Sequence, residues 1–420
     1  MVQSSMPGRR MLMMLLVAAC ISCGGKQRDF GGLGGAGGSA SASPGGEGPD
    51  DGGAGASGGD GGGGAGAIGS ADDGGQVGVA GAAGSSGGCI DGTGSECAAN
   101  LECIEGTCQC TLTSCPNGCC SAAGVCGSCT PTTLTTRPVA IQALTISSPL
   151  LYLLEGGAED DPEVYSLSTA GGDAQLISVP PPGDDSLSTI VADESFIYGA
   201  SFNYDQVGRM PTTGGRFTMI SGGKTYLARR LLTNTTSVFG GGSLSSSFIN
   251  VFPKAGGATT TLVDSLTIDY IHFAVDDSFL YFISSGYVLN RIAVTGGGTS
   301  RALMASDAGE KLVDVVVAAD QAIFASSTRV GKVASTGGNA STLDVGAAYA
   351  LATDSANAFY FRAKGGDTCA GGSELFSVPL AGGAPRRLAI ESSKSCVRSV
   401  AEDGSGVYWI ADQRIQKIAK

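Results

Sequence analysis

Six glycine doublets recur after residue 140 at nearly constant spacing, and they constrain the fold more than any other feature of the chain. They begin at Gly171, Gly214, Gly256, Gly296, Gly337 and Gly382, at intervals of 43, 42, 40, 41 and 45 residues. Such a period is the signature of a repeat architecture, in which each copy forms one supersecondary unit. Paired glycines permit the positive φ of a tight turn, so a hairpin turn is expected at each doublet.

Each copy also carries two predicted strands of recognisable pattern. A short alternating segment begins seven residues before every doublet, at Val164, Val207, Ile249, Leu289, Val330 and Leu375. Upstream lies a second hairpin, in which an Asp, Asn or Ser precedes an aromatic residue by about five positions in most copies. The polar residue is expected to cap the turn and the aromatic residue to pack one copy against the next. Seven such aromatic residues occur: Tyr152, Tyr198, Phe239, Tyr281, Phe324, Tyr360 and Tyr408.

Four short strands in about 42 residues predict one blade of an all-β propeller. We predict seven blades, with six or eight as alternatives, over residues 137–420. The last copy lacks its doublet and its fourth strand. The segment 137–141 precedes the first copy without a blade of its own, so it is expected to supply the missing strand and close the ring.

In several copies an aromatic strand is followed by a phrase of the form hydrophobic-x-Arg/Lys-hydrophobic, as in Leu289-Asn290-Arg291-Ile292, and then by the glycine doublet. This order resembles bacterial surface propellers of the YWTD-like and related kind over residues 143–420. Tyr408-Trp409 is the one full match to the aromatic dipeptide, and Ile410-Ala411 replaces the Thr-Asp that would follow. The resemblance implies the fold and says little about a ligand.

The N-terminus predicts export. Arg9 and Arg10 precede a short apolar run that is typical of a signal peptide, predicted here as residues 1–19, and is too short to span a bilayer. The run ends at Cys20 in a sequence that resembles the bacterial lipobox, which implies lipidation of Cys20. Ile21 after it suggests, by the same resemblance, an outer-membrane lipoprotein of the cell envelope. The alternative is an ordinary secretory signal and a secreted protein.

Residues 20–88 are almost entirely Gly, Ala, Ser and Asp after the first few positions. Such a composition cannot bury enough apolar surface to offset the entropy of ordering, so a disordered tether is expected.

Residues 89–130 hold ten of the fourteen cysteines. Such density is typical of small exported modules, so five disulfides are expected, with connectivity left open. Zinc is the alternative, since Cys126-x-x-Cys129 loosely has the spacing of a zinc ligand pair. Residues 101–110, with the sequence LECIEGTCQC, loosely resemble the short EGF-like modules of exported proteins. The unit is expected to be either a disulfide-bonded spacer or a binding module.

The charge balance argues against nucleic acid as a partner. The chain has 38 acidic and 25 basic residues, a formal net charge of −13, and an acidic surface repels phosphate backbones.

His272 is the only histidine in the chain, so any Ser-His-Asp or Cys-His arrangement would have to use it. It is predicted to begin the innermost strand of the fourth blade, where it could face the central channel. A structural or merely exposed role is the expectation. One histidine also argues against a multi-histidine metal centre and against lyase propellers that use histidine pairs.

Propeller topology separates two faces. The loops between second and third strands share one face with the connections between blades, and here those loops are long. We call this the long-loop face; the opposite, short-turn face holds the glycine doublets. Long loops on a rigid scaffold are the usual place for binding residues. The candidate ligand residues are Glu159, Asp160, Asp161, Glu163, Asp184, Asp185, Tyr204, Asp205 and His272.

No cofactor is predicted, although the acidic loop 159–163 could offer oxygen ligands to Ca²⁺. It matches no spaced calcium loop, so a solvated acidic loop is the preferred interpretation. Cys369 and Cys396 fall on the same predicted face and are expected to form a disulfide.

The sequence therefore predicts a monomeric, non-catalytic binding platform at the cell envelope, whose partner is a protein or glycan. One alternative is a propeller hydrolase or lyase with its site on the long-loop face. Another is a purely structural envelope component.

Overall fold

The computed structural model describes residues 102–104, 107–110, 115, 118–120, 126–156, 162–178, 187–201, 206–222, 230–243, 247–266, 272–364, 371–392 and 397–420. All regular structure in these ranges is β-strand, and none of them contains a helix long and apolar enough to cross a membrane. The predicted signal peptide, Cys20, the tether and the Cys369–Cys396 pair lie outside the described residues.

The cysteine-rich module contributes two small hairpins. They are formed by β1 (Glu102–Ile104) with β2 (Thr107–Gln109), and by β3 (Cys119–Cys120) with β4 (Cys126–Gly127). Disulfides join Cys110 to Cys120, Cys115 to Cys126 and Cys119 to Cys129. Both members of the candidate zinc pair, Cys126 and Cys129, are therefore engaged in disulfides.

Seven four-stranded antiparallel sheets form the blades. Blades 1 to 6 run in sequence order from the innermost to the outermost strand, whereas blade 7 takes its outermost strand from the residues before blade 1. Blades 1 to 3 are β6 (Ile141–Ser147), β7 (Leu150–Glu155), β8 (Glu163–Ser168), β9 (Gln175–Ser178); β10 (Leu187–Ala192), β11 (Phe196–Ser201), β12 (Gln206–Pro211), β13 (Thr218–Gly222); and β14 (Arg230–Thr233), β15 (Ser237–Ser243), β16 (Ser247–Pro253), β17 (Thr260–Leu266). Blades 4 to 6 are β18 (Phe273–Val275), β19 (Phe279–Ser284), β20 (Val288–Ala293), β21 (Arg301–Ala305); β22 (Leu312–Ala318), β23 (Gln321–Ser326), β24 (Arg329–Ala334), β25 (Ser341–Val345); and β26 (Tyr349–Thr353), β27 (Asn357–Ala363), β28 (Ser373–Pro379), β29 (Arg386–Glu391). Blade 7 is β30 (Val400–Asp403), β31 (Gly406–Ala411), β32 (Arg414–Ile418) and β5 (Thr132–Thr136).

The innermost strands contact one another around the whole ring, with β30 of blade 7 against β6 of blade 1. The fold is thus a closed seven-bladed propeller, as the repeat predicted. All seven repeat aromatics lie in second strands and are at most 1% exposed. They fill the spaces between blades; Tyr281 of blade 4, for example, packs in one cluster with Val315 and Phe324 of blade 5.

The closing strand is β5 and not the predicted segment 137–141, so that prediction was wrong and the propeller sheet begins at Thr132. The Thr-rich β5 pairs antiparallel with β32, and its Leu134 is buried between blades 7 and 1. Pro138 has no N–H to donate to a sheet. Residues 137–140 instead connect β5 to β6, and the Arg137 side chain forms an ion pair with Glu155.

The short-turn face is built by the repeated motifs. Both glycines of every doublet have positive φ, which confirms the predicted tight turns. In blade 4 the Asp276 carboxylate accepts hydrogen bonds from Ser278 N and Phe279 N, both at 2.7 Å, and from the Tyr281 hydroxyl at 2.9 Å. The capping aspartate thus also fixes the hydroxyl of the core tyrosine. Asp193 of blade 2 and Asp403 of blade 7 do the same.

A basic residue on some third strands links neighbouring blades on the short-turn face. Arg209 Nη1 donates to Lys254 O at 2.7 Å, and Lys332 Nζ donates to Leu380 O at 2.6 Å. Lys417 of blade 7 donates to Thr169 O of blade 1 at 2.8 Å, across the closure. The Arg or Lys of the repeat phrase therefore serves the scaffold.

The cysteine-rich module is docked on the outer edge of blade 6. Arg387 of β29 donates through Nη2 to Gly118 O at 2.6 Å and to Cys115 O at 3.3 Å. Ile390 N donates to Cys129 O at 3.0 Å. The module thereby covers backbone groups of an outermost strand, a position where an open sheet edge is otherwise exposed.

Candidate functional site at the long-loop end of the channel

The innermost strands of all seven blades enclose a cavity on the propeller axis, with a volume of about 390 Å³. Its charged and titratable lining residues are Arg230, His272, Asp314 and Arg398. Each lies at or near the start of an innermost strand. Innermost strands start where the connection from the preceding blade arrives, so this cluster lies at the long-loop end of the channel.

Asp314 is the centre of this cluster and is buried. Its Oδ1 accepts hydrogen bonds from Arg230 Nη1 at 2.7 Å and from its neighbour Val315 N at 2.9 Å. Oδ2 accepts from Leu351 N of blade 6 at 2.9 Å. His272 Nδ1 lies 3.3 Å from Oδ1. One carboxylate thus joins blades 3, 4, 5 and 6 at the channel wall.

A local backbone distortion helps to present the Leu351 N–H. Ala350, between Tyr349 and Leu351, is skipped in the pairing of β26 with β27, which forms a bulge. Its φ is 52°, a left-handed conformation that is uncommon for a residue other than glycine. Bulges re-aim neighbouring groups, and here the next N–H donates to the Asp314 carboxylate.

Electrostatics keeps Asp314 ionised. Burial alone would raise the pKa of this carboxyl, but the Arg230 guanidinium, the His272 hydrogen bond and the Leu351 N–H outweigh burial and hold the pKa well below its ordinary value. An ionised carboxylate only accepts hydrogen bonds, so the Nδ1 of His272 must be the donor. This fixes the tautomer and leaves Nε2 without a hydrogen-bond partner among the described residues.

Arg230 and His272 occupy the same position of the repeat. Arg230 pairs with Gly241, two residues after the aromatic Phe239, and His272 O accepts from Ile283 N, two residues after Tyr281. A comparison of the innermost strands copy by copy would have singled out both residues. Asp314 was also missed, although a carboxylate inside the apolar run Leu312–Ala318 signals a buried functional or pairing role.

Of the predicted ligand residues, the structure places His272 in the channel, as the sequence suggested. Glu163 begins β8 in blade 1, where its Oε2 accepts from the Tyr165 hydroxyl at 2.5 Å, and it does not line the cavity. The others, Glu159, Asp160, Asp161, Asp184, Asp185, Tyr204 and Asp205, lie outside the described residues, as does most of the proposed calcium loop.

Comparison with known proteins shows the fold. No protein-family model matches the chain, and no curated protein matches it by sequence. A catalytically inactive histidine-to-alanine variant of virginiamycin B lyase from Staphylococcus aureus with quinupristin is 10% identical, with a TM-score of 0.55 over 69% of this chain and 98% of that chain.

Two further structures are similar to the same extent. A streptogramin B lyase is 13% identical, with a TM-score of 0.53 over 69% of this chain and 96% of that chain. YCF48 bound to D1 peptide is 10% identical, with a TM-score of 0.52 over the same shares. At such identities the similarity establishes the propeller fold alone.

Proposed function

We propose that this chain is an envelope protein whose propeller binds a partner, without catalysis, at the long-loop end of its channel. The observation that carries the proposal is the cavity of about 390 Å³ with four charged or titratable residues at that end. Arg230 and Asp314 lie in innermost strands, and His272 and Arg398 lie one and two residues before such strands. Polar groups held in place in a concave site are what specific binding requires. The similarity to YCF48 in its complex with D1 peptide supports a protein partner over a glycan.

The engagement of Asp314 argues against this carboxylate as the general acid or base of a reaction. Its carboxylate is saturated by four donors from four blades, which is typical of a structural charge. A general acid or base near neutral pH would need a pKa moved toward 7, whereas the pKa of Asp314 is lowered.

The test is site-specific photo-crosslinking of the full chain in its native cell. A photoreactive amino acid at Ser392, exposed at the start of the blade 6 to blade 7 connection, reports on the long-loop face. The same amino acid at Asn339, exposed beside the blade 5 doublet, is the matched control on the short-turn face. We expect a discrete adduct from position 392 only. Adducts from 339 alone, or from neither position, would refute the proposal.

Envelope anchoring is the second part of the proposal, and it rests on the lipobox-like residues that end in Cys20. Intact-mass analysis of the membrane-bound protein should show a diacylglyceryl addition at the N-terminus, and Cys20→Ala should move the protein out of the membrane fraction. A protein released from the cell without lipid would support the secreted alternative.

A lyase is the second candidate, favoured by the contact between His272 and Asp314. This contact fixes the tautomer of an imidazole that lines the cavity, and an Asp–His pair can serve as a general base. Quinupristin, present in the similar lyase structure, is the substrate to try. Liquid chromatography with tandem mass spectrometry would separate any conversion product from quinupristin, and its loss in His272→Asn would establish catalysis. Our proposal expects no product with either protein.

A further inference from the structure

The charge balance at the long-loop end of the channel leaves one cation uncompensated. Asp314 and Arg230 neutralise each other at 2.7 Å. Arg398 lines the same cavity, and its guanidinium has no ion pair or hydrogen bond within the described part of the chain. No second carboxylate lines the cavity in that part. An anion entering the channel would therefore meet net positive charge, in a chain whose net charge is −13.

The ring places these cations on opposite sides of the channel. Arg398 lies two residues before the innermost strand of blade 7, whereas Arg230 and His272 belong to blades 3 and 4. In a closed ring of seven, blades 3 and 4 are the two farthest from blade 7. A group on the axis thus has Arg398 on one side and the Arg230–His272 pair on the other.

The inner wall already binds one carboxylate. Innermost strands expose one edge to the channel, and its N–H groups are donors without a sheet partner. Leu351 N uses this edge to hold Asp314 Oδ2 at 2.9 Å. Arginine forks suit carboxylates because two parallel N–H groups can donate to the two oxygens.

We infer that the long-loop end of the channel binds the carboxylate of a polypeptide, with Arg398 as its principal partner; this rests on the proposed binding function. The cavity volume is at the small end of the range for ligand sites, about 300–1,000 Å³, so it admits a chain end or a side chain rather than a domain. Among the described lining residues there is no Phe, Tyr or Trp on which a sugar ring would stack, which favours a peptide over an acidic glycan.

The single histidine makes the experiment direct, because the ring signals of His272 in a nitrogen-detected NMR spectrum are unique in the full chain. The probes are N-acetyl-trialanine, its C-terminal amide, and N-acetyl-aspartate α-amide, whose one carboxylate is on the side chain. Glucuronate and inorganic phosphate complete the set. We expect saturable shifts of the ring signals with the carboxylate peptides and none with the amide. The peptide that binds with the higher affinity shows whether the site prefers the carboxylate of a chain end or that of a side chain.

Arg398→Gln should weaken peptide binding by at least about tenfold, the value of one hydrogen-bonded charge. Arg398→Lys, which keeps the charge but not the fork, should lie between this variant and the wild type. Arg216→Gln, at an exposed arginine of the short-turn face, is the matched control and should bind normally. Unchanged thermal unfolding of Arg398→Gln would exclude misfolding as the cause.

Equal or stronger binding of glucuronate or phosphate would overturn the assignment to a polypeptide carboxylate. Equal binding of the acid and the amide, or normal binding by Arg398→Gln, would overturn the anion site itself. The two proposals fail separately. If position 392 gives an adduct but the ring signals do not respond to the peptides, the carboxylate site is wrong and the proposed partner binding stands. If the ring signals respond in an Arg398-dependent way but position 392 gives no adduct, the carboxylate site stands and the proposed partner is wrong.

Discussion

The two ends of the propeller axis are built from different kinds of residue. At the short-turn face the same elements recur from blade to blade: capping Asp276 and Asp193, their tyrosines, and the inter-blade donors such as Lys332. At the long-loop end, the charged groups occur once each and meet only because the ring closes. The difference teaches that in a repeat protein the shared positions describe the scaffold, and departures from the repeat locate the site.

The largest expected effect belongs to the shared core. Tyr281→Ala would leave a cavity between blades 4 and 5, where this side chain is fully buried. We expect a loss of about 3–5 kcal/mol in the free energy of unfolding, measured by urea denaturation. Carboxylate binding by the folded fraction should stay normal. A loss below about 1 kcal/mol would show that the repeat aromatics do not carry the core.

Asp314→Asn should produce the next largest loss, about 3 kcal/mol, because it leaves Arg230 in the channel wall without its counter-charge. The effect should depend on pH. Because the folded chain lowers the pKa of Asp314, the stability that the carboxylate contributes is complete above the unfolded pKa of about 3.9. That contribution is lost as the pH falls through the lower folded value. The stability difference between the variant and the wild type should therefore begin to shrink as the pH falls below about 4; a difference that stays constant down to pH 2 would contradict the assignment.

Asp276→Ala should cost about 2 kcal/mol, since it removes a turn cap and an acceptor for the Tyr281 hydroxyl. Asp276→Asn keeps the cap geometry and should recover part of the loss. Both variants lie on the short-turn face, so neither should change ligand binding. A binding defect in either variant would contradict the claim that the short-turn face serves only the scaffold.

Lys332→Met should have the smallest effect, about 1 kcal/mol, because one charged hydrogen bond to Leu380 O is lost while the aliphatic stem is kept. Differential scanning calorimetry would measure it as a small drop in Tm. No change in Tm would mean that the inter-blade donors of the short-turn face are dispensable.

Much of the fold was predictable because its determinants are local and periodic. The glycine doublets predicted the tight turns, and the seven repeat aromatic residues predicted the number of blades. The closing strand could not be predicted, because nothing in residues 132–136 marks the Thr-rich β5 as the partner of β32, some 280 positions later in the chain. The proximity of 137–141 to the first copy therefore led to the wrong segment.

The candidate site was predictable only at His272. Asp314 is 84 positions from Arg230 and 42 from His272 along the chain, and these distances become contacts only through the curvature of the ring. The bulge at Ala350 that aims Leu351 N–H at Asp314 has no local sequence signal, since alanine gives no warning of a left-handed conformation.

The most direct test of this division is to measure unfolding free energy and carboxylate affinity together for Asp276→Ala and Arg398→Gln. The account predicts that Asp276→Ala loses about 2 kcal/mol of stability and binds N-acetyl-trialanine like the wild type. Arg398→Gln should keep its stability and bind at least about tenfold more weakly. If both variants lost both properties, or if Arg398→Gln bound normally, the separation between a scaffold face and a binding end would be wrong.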